Sequence, residues 1–327
     1  MRVQQKRSHD VVCLGEALVD FLPSQRGQQV RDVTRWQPCL GGAPANVAVG
    51  LARLGRRSAL VGATGLDEFG HFLREGLLRE GVDVSALRQT DEGKTGLGFV
   101  SLTRSGERSF TFYRTRAAET FLDERDTHRA RHLMKGATFV HVGTNSLVQP
   151  KARAAVQAVV ETRFRTGALI STDPNLRLHL WPEPKVLQQL LATLLPMCAV
   201  VKLSEEEIKF VTGSGNVETA LKTLNKRGVI LPIVTLGERG AALLFKGALR
   251  EVQTSKVKVI DTTGAGDGFM AGLLSALSPA VKSRKDLASL ELHEVEAMVQ
   301  FGCRVGSRVV QKLGAVAGLP RDLRFRR

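Results

Sequence analysis

DTTGAGDGFMAGLLSAL, residues 261–277, sets an acid, Asp267, among glycines at the threshold of an almost wholly apolar run. A helix apolar on every side is a buried one, and an uncompensated carboxylate at its edge is costly, so something must want a negative charge there. Gly264, Ala265 and Gly266 carry little or no side chain, so their successive backbone N–H groups form a nest for anionic oxygen at the start of that helix. Asp267 falls in the first turn, where the helix dipole favours its ionised form and where its oxygens can accept a proton from a nearby hydroxyl. An anion cradle beside a base is the minimum equipment for moving a phosphoryl group onto an alcohol. The structural alternative, an aspartate that simply caps its helix, stands beside it.

Outward from this stretch, strands alternate with helices. VVCLG (11–15), SALVGA (58–63), TFVHVG (138–143), ALIST (168–172), CAVVKL (198–203) and PIVTLG (232–237) read as buried strands of a parallel sheet. Between them PANVAVGLARLG (44–55), EFGHFLREGLLREG (68–81), PKARAAVQAVVETRF (150–164), SEEEIKFVTG (204–213) and VETALKTLNKRG (217–228) carry helical patterns. The alternation predicts a doubly wound α/β fold with right-handed crossovers. Two regions break it. Residues 95–114, TGLGFVSLTRSGERSFTFYR, alternate apolar and polar around a Ser-Gly turn and predict an antiparallel hairpin, to which residues 21–38 could add strands. A small β-sheet hung on the main domain is well placed to be a lid.

The 327 residues suffice for one large α/β domain with a substantial core, and 43% hydrophobic with 24% charged residues excludes general disorder. The net charge of +15 attracts anions, but much of the excess sits in the tails, at Arg2, Lys6, Arg7, Arg321, Arg324, Arg326 and Arg327. Aromatic residues make up only 5% of the chain, too few for a base-stacking platform, so nucleic acid is an unlikely partner. Cys13, Cys39, Cys198 and Cys303 form no CxxC pair and read as reduced thiols. The apolar segment after the basic N-terminus is interrupted by Glu16 and Asp20, which argues against a signal peptide; with no candidate membrane span, a cytoplasmic protein is expected.

Two nucleotide motifs fail. GKT at 93–95 would end a P-loop only if position 88 were glycine, and it is Arg88; GAGDGF misses the dinucleotide fingerprint because position 269 is Phe269. A second glycine-rich turn, GGAPAN (41–46), leads into a helix with Pro44 suited to its first turn. Gly41 and Gly42 let a ligand approach the backbone, and Asn46 offers a donor and an acceptor. Asp20, read as lying at the end of the first strand pattern, could clasp a pair of sugar hydroxyls. Each feature alone is more often a turn or a cap; together they outline a polyol pocket.

GGAPANVAVGLARLGRRSALVGATG (41–65) and DTTGAGDGFMAGLL (261–274) resemble the two signatures of the ribokinase-like, or PfkB, sugar kinase family, in the right order and at the expected separation. The resemblance covers residues 10–320 as one kinase domain, with lid segments at about 21–38 and 95–114 and basic tails at 1–9 and 321–327. It implies a ribokinase-like doubly wound sheet flanked by helices, ATP as donor, Mg²⁺ as cofactor and transfer to a primary sugar hydroxyl. On it Asp267 is the catalytic base and Gly264, Ala265 and Gly266 the anion hole. TLGERG (235–240) resembles the nucleotide-binding segment, bringing in Thr235, Gly237 and Gly240, and KLGAV (312–316) the segment near the adenine, bringing in Gly314. Sugar contact falls to Asp20, Gly41, Gly42 and Asn46. Where many relatives have Asn-x-x-Glu to organise Mg²⁺, this chain has Ser204-Glu205-Glu206-Glu207; Glu207 keeps the acid and would act through water. A monovalent cation such as K⁺, which some members bind, would here involve Asp261 and the backbone around Thr263.

FYRTRAAETFL (112–122) and DPNLRLHLWP (173–182) look most like the corresponding segments of fructokinases. The alternative, 2-keto-3-deoxygluconate kinase, shares the Tyr-Arg and Asp-x-Asn-x-Arg segments, which makes Tyr113, Arg114 and Arg177 further substrate-binding candidates. A guanidinium suits a substrate carboxylate but also phosphate. A non-catalytic sugar- or nucleotide-binding regulator on the same fold would be expected to lose the base or the glycines, and both are present. Exposed faces of the lid could pair two subunits into a homodimer.

Overall fold

The computed structural model describes residues 8–25, 27–102 and 108–325. In chain order its strands are β1 (Val11–Leu14), β2 (Leu18–Pro23), β3 (Trp36–Gly41), β4 (Ser58–Gly65), β5 (Leu87–Thr90), β6 (Leu97–Leu102), β7 (Arg108–Tyr113), β8 (Phe139–Val142), β9 (Leu169–Thr172), β10 (Val200–Ser204), β11 (Leu231–Thr235), β12 (Ala241–Phe245) and β13 (Ala248–Val252). The helices are α1 (Ala43–Arg53), α2 (Glu68–Arg79), α3 (Glu124–Lys135), α4 (Pro150–Arg165), α5 (Pro184–Leu194), α6 (Ile208–Thr212), α7 (Val217–Lys226), α8 (Ala265–Leu277), α9 (Arg284–Ser289), α10 (Leu292–Val309) and α11 (Ala315–Gly318).

Nine strands form the large sheet in the order β13-β12-β11-β10-β9-β8-β1-β4-β5. Those from β11 to β5 are parallel, while β12 and β13 are antiparallel additions at one edge. From β1 the chain winds outward through β4 and β5, then returns to β8 on the other side of β1, so the winding reverses between β1 and β8. Such a reversal opens the crevice in which α/β sheets of this kind bind ligands. Alternation along β1 shows why its four residues are all apolar: Val11 and Cys13 join one buried cluster, Val12 and Leu14 the other. The first cluster holds α1, α8 and α10 against one face of the sheet; the second holds α4, α5 and α7 against the opposite face.

The six expected parallel strands are all present. The small sheet has the order β3-β2-β6-β7, with β2 and β6 parallel. The first of its two contributing segments is longer than 21–38, running from Leu18 in β2 to Gly41 in β3, which corrects the position of Asp20. The chain leaves the large sheet at Gly15–Ala17, so Asp20 stands on the small sheet instead of at the end of β1. The expected Ser-Gly turn lies outside the described residues. The helix read over 204–213 shortens to α6, because Ser204 finishes β10 and the acids that follow form a turn. The β12–β13 hairpin, unforeseen, turns at Lys246 and Gly247, both at positive φ (49° and 80°), where a two-residue primed turn needs them.

The ends of the chain are less tail-like than their charge suggests. His9 approaches Asp83 at 3.1 Å, Arg321 pairs with Glu80 at 2.7 Å, and Phe325 packs edge-on against Phe301. Residues 1–7 and 326–327 lie outside the described part.

Candidate active site

The stretch 261–277 folds as a loop and the buried helix α8. Gly264 caps the helix at φ 76°, and a Cβ on it would come within 2.3 Å of Ala315 Cβ, so the backbone turns here only without a side chain. The first intrahelical amide bond runs from Gly268 N to Gly264 O at 2.8 Å, while Ala265 N donates to Thr262 O at 3.2 Å. That leaves the amides of Gly266 and Asp267 without an intrahelical acceptor.

Asp267 follows them, 8% exposed, and its Oδ2 accepts 2.8 Å from Asn46 Nδ2 in the first turn of α1. The two glycine-rich turns, 221 residues apart in sequence, therefore meet at one hydrogen bond. The expectation that the dipole keeps Asp267 readily ionised is overturned. Burial dominates, pushing its pKa up to about 7 with help from the charges of Asp173 and Glu16, against Asn46 and Lys202.

Beneath the turn lies an ion pair that sequence reasoning missed. Lys202 Nζ of β10 donates to Asp173 Oδ2 at 2.8 Å, both buried, and Nζ lies 2.8 Å from where a Gly266 Cβ would stand. The signal was a lysine inside the apolar run CAVVKL; its importance follows only from the sheet register, which brings it under α8.

The small sheet covers the other side. Asp20 pairs with Cys39 on β3 and Gly98 on β6, and Cβ atoms on Gly41 or Gly98 would meet its carboxylate at 2.3 and 2.8 Å. Its pKa, too, is pushed up to about 7, by burial first and then by Asp267, while Arg114 and Arg177 oppose the rise. The carboxylates and guanidiniums of the sugar hypothesis thus share one field. Arg114 Nε pairs with Glu119 Oε1 at 2.8 Å, and Arg177 Nη1 donates to Leu176 O at 2.9 Å. Tyr113 does not join them. It pairs with Leu97, one step out of register with the Asp20–Gly98–Phe112 row, so strand alternation turns it to the outer face, 66% exposed and edge-on to Phe99. Phe112 shares the face of Asp20 instead, stacked on His179 at 5.7 Å.

On the far side of α8, Asp261 organises the approach. Its Oδ1 accepts from Thr263 N and Oγ1 at 2.9 and 2.7 Å, and its Oδ2 from Gly314 N at 2.7 Å, tying the glycine loop to the C-terminal segment. Thr235 ends β11, its hydroxyl donating to Leu203 O at 3.3 Å, and Gly237 and Gly240 form the turn into β12. Glu207 folds its carboxylate back onto two backbone amides, Leu176 N at 2.6 Å and Ser204 N at 2.8 Å. Glu205 instead pairs with Arg239. Among the described residues no cluster of three or more His, Cys, Asp or Glu is placed to hold a metal ion.

The family model described as pfkB family carbohydrate kinase matches residues 8–322. The chain belongs to that family. This pfkB kinase is 37% identical over 313 residues to a probable chloroplastic fructokinase-6 of Arabidopsis thaliana, covering 95% of this chain and 79% of the relative. A fructokinase of Vibrio cholerae O395, solved with fructose, ADP and calcium ion, matches with a TM-score of 0.83 and 34% identity over 95% of this chain and 96% of that one. A double mutant of the Vibrio enzyme, solved with fructose, ADP and potassium ion, matches with a TM-score of 0.81 and 33% identity over 97% of each chain. The pfkB kinase is thus an ATP-dependent sugar kinase on a ribokinase-like fold. Among its described residues no helix is long and apolar enough to cross a membrane.

Of the residues singled out from sequence, the fold brings Asp20, Gly41, Asn46, Gly264, Gly266 and Asp267 into one cleft with Arg114. Besides Lys202 and Asp173, sequence reasoning missed Glu16 and Glu119. Glu16 interrupts an apolar segment, and Glu119 lies within the quoted segment 112–122 with no feature of its own to single it out.

Proposed function

We propose that the pfkB kinase transfers the γ-phosphoryl group of ATP to the primary hydroxyl of D-fructose, giving fructose 6-phosphate. The observation that carries the reading is the Asn46–Asp267 contact, which joins a polyol-side helix to a carboxylate standing beside two unfilled amide donors. Ionised Asp267 takes the hydroxyl proton, the freed oxygen attacks the γ-phosphorus, and ADP leaves. The amides of Gly266 and Asp267, with Lys202 beneath them, stabilise charge as it builds on the transferring group. Asp20 accepts sugar hydroxyls from the lid side, and Asn46 holds Asp267 towards the sugar. The turn at Thr235, Gly237 and Gly240 and the segment at Gly314 line the nucleotide path.

The glycine cradle fits a nucleotide triphosphate. Glu207, with both oxygens engaged by amides, fits a hard cation reached only through water, so Mg²⁺ would be carried mainly by nucleotide phosphates, where it neutralises their charge. A K⁺ ion would use carbonyls of the loop that Asp261 shapes. The outer face of the lid, where half-buried Phe99 sits beside exposed Tyr113, supports a homodimer formed through it; a cytoplasmic location is part of the same reading. An ATP-coupled assay across fructose, ribose, 2-keto-3-deoxygluconate, tagatose 6-phosphate and nucleosides tests the substrate. Fructose should give the highest kcat/KM, and a better rate with any of the others contradicts the reading.

A further inference from the structure

We propose that Glu16 and Glu119, around Arg114, form a charge filter in the sugar pocket that accepts the hydroxyls of a neutral sugar and turns away a sugar carboxylate. This rests on the sugar-kinase reading above and assigns a role to two residues to which neither the motifs nor the mechanism gave one.

Three polar atoms in this cluster are buried and without a hydrogen-bond partner: Glu16 Oε2, Glu119 Oε2 and Arg114 Nη2. Glu16 is 2% exposed, and the side chains of Arg114 and Glu119 are 6% and 0% exposed. Buried groups in native proteins are ordinarily satisfied, so two acceptors and a donor left unanswered within one charge cluster are what the hydroxyls of a bound sugar would answer. A hydroxyl both donates and accepts, so a run of hydroxyls can satisfy all three. A carboxylate only accepts; it can answer Arg114 and leaves both glutamates unanswered.

Charge points the same way. Arg114 alone would be a carboxylate receptor, but its Nε is already taken by Glu119 at 2.8 Å. Burial by itself would lower the pKa of Arg114, yet the charges of Glu119, then Glu16, and also Asp20, more than reverse this. An entering anion would be set against Glu16, Glu119, Asp20 and Asp267, with Arg114, Arg177 and Lys202 opposing; burial pushes the carboxyls of Asp20 and Glu119 up, so the repulsion is fullest on the alkaline side. The backbone holds the arrangement in place. Ala117 N donates to Arg114 O at 3.1 Å, Arg116 sits at φ 52°, and Ala118 N donates to Lys94 O at 2.8 Å, which doubles the chain back and sets Glu119 under Arg114. A Cβ on Gly96, just before β6, would lie 2.6 Å from Glu119 Oε1, so the filter sits at the root of the lid.

The test compares wild type, Glu119→Gln and Glu16→Gln by kcat and KM for fructose and for 2-keto-3-deoxygluconate. A filter predicts that the ratio of kcat/KM for fructose over the acid sugar falls at least about tenfold in each variant, equivalent to ~1.4 kcal/mol, with KM for the acid sugar falling in absolute terms. A merely structural ion pair would depress both sugars alike. Glu16→Gln, outside the Arg114–Glu119 ion pair, carries the test if Glu119→Gln does not fold. An unchanged ratio in the folded variants overturns the filter, whereas a wild-type enzyme that prefers the acid sugar overturns the fructose reading itself, whatever the variants do.

Discussion

Replacing Asp267 with asparagine should make the kinase more stable while disabling it, and the gain should grow with pH. The native carboxyl is pushed from its ordinary 3.8 to about 7, chiefly by burial. The ionised form is thus disfavoured in the fold, and stability falls as pH rises from the unfolded-state value through the folded one. A shift of about three units corresponds to ~4 kcal/mol of destabilisation once pH exceeds 7. Asparagine removes that cost at all pH values and can still accept from Asn46 Nδ2 through its amide oxygen. A poorer fit of its NH₂ near Lys202 would return ~1–2 kcal/mol. The net gain at pH 8.5 should therefore be about 2–3 kcal/mol, and at pH 5 close to zero, because there the unfolded carboxyl is ionised while the native one is not, and the ~2 kcal/mol already lost is offset by the misfit. Urea unfolding of wild type and Asp267→Asn at both pH values measures it. A variant that is less stable at pH 8.5, or a difference that does not change with pH, refutes the claim that burial governs this carboxyl.

Activity should carry the same signature. Asp267 and Asp20 are both pushed up to about 7, so kcat/KM for sugar should fall on the acid side of neutrality more steeply than tenfold per pH unit as both take up protons; a flat profile from pH 5 to 8 excludes it. Gly266→Val should abolish transfer by filling the space beside Lys202 Nζ, whereas Gly264→Ala should lower stability by ~1–3 kcal/mol through its positive φ and contact with Ala315; assays paired with thermal melts separate the two. Residues 95–114 should be cleaved more slowly by protease once sugar binds, because a closed lid keeps water from ATP. Equal cleavage rates would count against closure.

What was legible in the sequence is what depends on local pattern. Short apolar runs gave the six parallel strands because both faces of the sheet are covered, and the glycine turns at 41–46 and 261–267 announced the cleft through their lack of side chains. Tyr113 shows where this stops. Which of two neighbours faces a pocket depends on a one-residue register, and the pairing of Gly98 with Phe112 gave the inner face to Phe112. The same limit hid Lys202, whose importance comes from Asp173 on a neighbouring strand end and from α8 above it. For Asp267, the position in the helix was plain from sequence, but the dipole argument lost to desolvation, which depends on how deeply the packed elements around it bury the carboxyl.

The most direct test of the account is turnover of fructose by Asp267→Asn with saturating ATP, followed by the appearance of ADP. Loss of a general base predicts a fall in kcat of roughly 10² to 10⁴ with a much smaller change in KM. Near-normal turnover by a folded variant would contradict the account, because among the described residues Asp267 is the carboxylate that stands beside both Asn46 and the open amides of α8.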